Sequence, residues 1–241
     1  MKRVFILSTI LMIAGAMNAW AAACVDGAVG KYGAITIATD GDKCVATLDF
    51  TDTGKVEILN DIKVNDIQMS RSISGKAATI MLPFDIQAWR LKGCGVYKFV
   101  MVTKDWAGGK FVVYVDRSYA NTLFANTPYV LIPAEGGEMF FDLSNLSEVI
   151  FNTTKIPESD SSKYSDVYGK WEFVGTYSYK KWQENDSDIG RIYGFAAEKK
   201  DNAKIGDFVK VKAGAFIKPM RAYLRYTNPN AIQCDFASSC I

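Results

Sequence analysis

The residue types that could run a reaction are thinly spread along this chain, and one is missing altogether, since the 241 residues include no histidine. That absence removes Ser-His-Asp and Cys-His nucleophile systems, histidine-ligated zinc and imidazole acid–base chemistry. The glycine patterns that cradle phosphates do not occur either. Carboxylates survive these exclusions. Asp85, Asp116, Asp142 and Glu172 fall at or near the ends of apolar runs, where a glycosidase could hold its acid pair. Turn-capping or solvated carboxylates are the more ordinary use of such residues, so no catalytic residue is expected. Residues 183–190 bring Glu184, Asp186 and Asp188 together ahead of Gly190. The glycine stands at the wrong offset for an EF-hand and no bidentate glutamate follows, so the run is read as a solvated turn, and neither metal nor cofactor is expected.

Aromatic residues offer the other chemistry. Flat exposed rings stack on sugar faces, and Trp106, in a glycine-flanked loop, with Trp182 and Tyr179, are the candidate ligand-binding residues. Trp171 is assigned to the core, because alternation in "WEFVGTYSY" puts Trp171, Phe173, Tyr177 and Tyr179 on one face.

The elements that must position these residues read as strands. Short runs rich in β-branched and aromatic residues ("AITIAT", "CVATLDF", "VYKFVMVT", "KFVVYVD", "YVLIP", "WEFVGTYSY") are separated by Gly, Asp, Asn, Ser or Pro, and no window keeps a helical period. The fold class expected is all-β, an antiparallel β-sandwich. Pro83 cannot donate to a ladder and places its strand at an edge or at its end. In "FIKPMRAYLRY", residues 216–226, Met220, Ala222, Leu224 and Tyr226 make an apolar row, while Arg221, Tyr223 and Arg225 make a polar one. The polar row is read as the wet side of a closing strand.

The ends and the cysteines bound the compartment. Lys2 and Arg3 precede an apolar run from Val4 to Met17 and an Ala-rich exit at Ala19–Ala23, the parts of a secretory signal peptide with cleavage after Ala21 or Ala23. The run is too short to span a bilayer as a helix, and no later stretch is long enough. Of 28 basic and 26 acidic residues, the leader holds two basic ones, so the remainder is formally neutral. A neutral chain has no footprint for nucleic acid or anionic membrane. Five cysteines in an exported chain are disulfide candidates. Cys24 and Cys44 bracket a hairpin and Cys234 and Cys240 a small ring, leaving Cys94 as a small hydrophobe with no histidine to activate it. The organisation expected is a signal peptide over 1–23, a cysteine-bracketed hairpin over 24–50, a sandwich over 51–227 and a tail over 228–241.

The succession "TIMLPFDI", "ANTPYVLIPA", "FVGTYS", "IYGFAAE" and "AFIKPMRAYLRY" resembles a set of secreted β-rich modules in cell-surface and extracellular proteins of anaerobic gut and fibre-degrading bacteria. The match lies in the ordered pattern L-P-F-D, N-T-P-Y, G-T-Y-S and P-x-R-A-Y, across about residues 64–226. The resemblance implies a part of a large exported protein and assigns no catalytic residues; the function expected is a non-catalytic module with a structural or interaction role at the cell envelope or outside the cell. The partners expected are cell-surface proteins or polysaccharide. Members often continue into a surface-sorting tail, whereas this sequence stops at Ile241, so the expectation is a shortened or released relative. A carbohydrate-binding module with an exposed Trp/Tyr platform is the alternative, and a glycoside-active enzyme the third reading.

Overall fold

The computed structural model describes residues 24–69, 73–74, 77–105, 110–117, 122–134, 138–143, 146, 148–155, 163–166, 169–196 and 207–227. The leader, Trp106, Cys234 and Cys240 lie outside these residues. Three sheets dominate. The first is built from β1 (Gly30–Tyr32), β2 (Ile35–Asp40), β3 (Lys43–Leu48) and β4 (Asp66–Met69), in that order. Its central hairpin turns at Gly41, whose positive φ of 59° suits a residue without a Cβ. Alternation in "ITIATD" buries Ile35 and Ile37 and leaves Thr36 and Ala38 outward. β3 and β4 run parallel, the exception among the strand pairs of the described residues.

The second sheet has the order β7-β6-β8-β5, from β5 (Ala78–Met81), β6 (Cys94–Asp105), β7 (Lys110–Arg117) and β8 (Pro128–Pro133). β6 carries a bulge between Phe99 and Met101. β5 ends before Pro83 and lies at a sheet edge, as that proline requires. The third sheet has five strands: β9 (Lys163–Asp166), β10 (Gly169–Thr176), β11 (Ile192–Phe195), β12 (Phe208–Lys210) and β13 (Arg221–Thr227), ordered β9-β10-β13-β11-β12. The strand expected to close the sheet, β13, is its centre, hydrogen-bonded on both sides to β10 and β11.

The fold is an all-β antiparallel sandwich. Phe99, Val102 and Val130 of the second sheet share one core with Trp171, Phe173, Tyr193, Phe208, Ala222 and Leu224 of the third. Aromatic contacts fill this layer: Trp171 lies 4.7 Å from Tyr226, 5.2 Å from Phe111 and 5.5 Å from Tyr193, ring centre to ring centre. Such offset and tilted pairs add to the burial of apolar area.

A second core joins the N-terminal hairpin to the rest. Cys24, Ile35, Leu48, Ile80, Phe84, Tyr129, Phe151 and Met220 belong to one buried cluster, so residues 24–50 share their interior with the following segment. Cys24 and Cys44 are disulfide-bonded at an S–S distance of 2.05 Å.

Candidate functional site

The L-P-F-D, N-T-P-Y, G-T-Y-S and P-x-R-A-Y segments meet in space. Asn126 holds the centre with φ of 59°, a left-handed conformation that asparagine tolerates better than most residues. Its backbone N–H donates to Leu82 O at 2.7 Å, and its side-chain amide donates to Asn152 O at 3.1 Å and Lys155 O at 2.7 Å. The Tyr177 hydroxyl donates to Asn126 Oδ1 at 2.5 Å. Burial pushes this phenol well above its ordinary pKa, so it stays a neutral donor to Asn126. Asp85 Oδ1 accepts the Ala125 N–H at 2.6 Å, and its other oxygen lies 3.7 Å from Lys155 Nζ. Asn152 donates its backbone N–H to Pro83 O at 2.8 Å and its side-chain amide to Asp61 Oδ1 at 2.7 Å.

The P-x-R-A-Y corner closes the same joint from the other side. Thr79 Oγ1 accepts the Ala222 N–H and donates to Ala222 O, both at 2.9 Å. Met220, buried with φ of 59°, donates its N–H to Thr176 O and accepts from the Met81 N–H. A Cβ at Gly175 would strike Met81 Sδ, which accounts for glycine there. Hydrogen bonds thus tie the four segments to one another and to Thr79, Ala125, Asn152 and Lys155.

The remaining carboxylates are distributed over the molecule. Glu172 pairs with the Arg225 guanidinium on the neighbouring strand, a hydrogen bond that holds Arg225 above its usual pKa. Asp116 is exposed on β7, in register with Lys98. Asp142 lies beside Arg90, its backbone N–H donating to Arg90 O at 2.7 Å. In the acidic turn, Asp186 caps the Gln183 N–H at 2.9 Å and Asp188 pairs with Lys180 Nζ at 3.1 Å.

Two readings of the C-terminal region are corrected. The row of Arg221, Tyr223 and Arg225 is no open wet face. Residues 178–190 and 211–217 fold back over it, pairing Lys180–Lys181 with Phe216–Ile217, and Trp182, Ile192, Val211 and Tyr223 form a small core beneath. Burial lowers the Arg221 pKa and, as the largest of several influences, raises that of Tyr223. Trp182, expected as a stacking ring, is 2 % exposed and meets Tyr223 edge-on at 5.4 Å. A ring so enclosed has no face to offer a sugar. Its indole N–H is buried without an acceptor among the described residues. Alternation within one strand says nothing of a distant ribbon that covers it.

Tyr179 does reach the surface, partnered by exposed Phe216 at 5.8 Å. A larger exposed ring carried no expectation. Trp89 stands 55 % exposed on a 3-10 turn, Ala88–Arg90. The Arg90 guanidinium lies 4.6 Å, and Lys92 Nζ 5.3 Å, from its ring centre. Arg90 is anchored in turn by donating to Asp142 O at 3.1 Å. In the ribbon pairing Leu91–Lys92 with Glu138–Phe141, Lys92 faces Phe140, itself 57 % exposed. The signal was available in "QAWRLK", a tryptophan between short strands with cations on its C-terminal side.

No family model, curated protein or solved structure matches the chain.

Proposed function

We propose that the chain is an exported, non-catalytic β-sandwich module with a structural or interaction role at the cell envelope or outside the cell. The observation that carries this reading is the joint around Asn126. Polar groups in the four segments that stand out in sequence fasten loops to strands, and burial raises the pKa of the phenol among them. The Cys24–Cys44 bond and the leader-like N-terminus support an oxidising destination. The test is expression with the leader intact, followed by fractionation and N-terminal mapping. Protein recovered outside the cytoplasm, beginning at residue 22 or 24 and with Cys24 and Cys44 oxidised, is the expected result. Full-length reduced protein in the cytoplasm would overturn it.

The second reading is a carbohydrate-binding module, and a specific observation favours moving its platform. Trp89 and Phe140 present exposed rings beside Arg90 and Lys92, as Trp182 does not. Retention on insoluble cellulose, xylan or chitin that disappears with Trp89→Ala would establish this reading. Absence of retention by the parent protein would leave the scaffold reading in place.

A further inference from the structure

The two edges of the second sheet are treated differently. At one edge, β5 lies against β13, with the Thr79–Ala222 and Met81–Met220 hydrogen bonds fastening them. At the other edge β7 ends the strand order, and among the described residues no strand pairs with its outer side. β7 is eight residues long, "KFVVYVDR", with no proline and with charges at its ends alone. Natural edges are usually blunted by proline, by inward-pointing charge or by shortness, because an open ladder is a template for another chain. Beside this edge the outer face is also apolar: Tyr114 is 48 % exposed, and Val112 and the bulge residue Val100 are exposed with it.

The sequence of β7 is complementary to itself when reversed. In an antiparallel pair, residues directly opposite one another share a face of the sheet. A two-fold axis through Val113 sets Val112 of each copy opposite Tyr114 of the other, and the lysine at position 110 opposite Asp116. Sliding the register by one residue sets outward Val112 opposite Val115, from the other face, and brings position 110 against Arg117, a like charge. Sliding by one more sets Val112 opposite Asp116. One register therefore satisfies both the facing and the charge.

We propose that β7 is a self-association edge: two copies of this chain join antiparallel about Val113, continuing the second sheet from one protomer into its partner. The inference goes beyond the module reading, since it concerns how copies assemble rather than what they bind.

The experiment is sedimentation velocity of the mature, oxidised protein across micromolar to sub-millimolar concentrations at low salt. A concentration-dependent dimer is expected. Asp116→Lys places like charges at both ends of the joined strands and weakens the dimer about tenfold, since each cross-strand pair is worth a fraction of a kcal/mol to about one. Lys110→Asp combined with Asp116→Lys restores the parent association. Tyr114→Lys, a charge on the exposed face, abolishes it, with unchanged near-UV dichroism showing that the variant remains folded. A monomer at every concentration overturns the proposal. So does a dimer that ignores Asp116→Lys and Tyr114→Lys, or a double variant that fails to recover.

Discussion

The joint around Asn126 and the aromatic layer between the second and third sheets hold the same molecule together by different means. At the joint, loops are fixed by hydrogen bonds that depend on direction: one amide serves Tyr177, Asn152 and Lys155 together. In the layer, Trp171, Phe173, Tyr193 and Leu224 contribute area and ring contacts, which depend far less on angle. The layer should therefore respond to volume and tolerate a change of shape. The joint should respond to the loss of a single atom. Residue types that look like chemistry gather at the joint, and their hydrogen bonds there fasten loops to strands.

That contrast can be broken at several points. The largest effect is expected in the layer, where Trp171→Ala removes a buried ring that touches three others. Its cost should be about 4 kcal/mol in urea denaturation. A loss under about 1 kcal/mol would mean that area does not hold the sheets together. Next comes the hairpin that feeds the joint's core. Replacing Cys24 and Cys44 together by serine opens a loop of sequence separation 20 and should cost about 3 kcal/mol, read by the same denaturation under non-reducing conditions.

Asn126→Ala should cost about 2 kcal/mol, because a buried phenol and two carbonyls lose their partner. A double-mutant cycle with Tyr177→Phe sharpens the point. Strong coupling between the two is expected of a directional joint, and simple additivity would place Asn126 among ordinary loop residues.

The smallest effect concerns Cys94, half-buried against the joint's core, whose thiol burial pushes up to about 11. An unfolded thiol ionises at about pH 8.5, so the folded chain keeps a proton that the unfolded chain gives up. The contribution is complete below about pH 8.5 and is lost as pH rises toward about 11. Stability should therefore decline over that window more steeply in the parent than in Cys94→Ala. Peptide mapping after alkylation at pH 8 should also show Cys94 reacting slowly, and rapid labelling would mean that the thiol is not enclosed.

Much of the architecture was legible because it rests on local rules. The period of two in "ITIATD" and "GKWEFVGT" names the buried faces, Gly41 names a turn, and Pro83 names the end of an edge strand. The Cys24–Cys44 pairing followed from a hairpin short enough to bring both sulfurs together. What escaped notice depends on long-range arrangement. Trp182 is buried because residues 211–217 return over it, and β13 is central because β11 arrives on its far side. Neither partner is visible from the strand itself. Trp89 was passed over for the opposite reason: a short polar stretch between weak strands carries little periodicity, although its exposed ring is plain in three dimensions.

The fastening of Thr79 to Ala222 spans 143 positions of chain. A polypeptide whose β5 edge is sealed by a strand so far along the chain cannot complete that core until residue 222 has been made, and loop-closure entropy makes such a union slow. Until residue 222 arrives, the nascent molecule stays unsealed along that seam, its β5 edge still waiting for its partner.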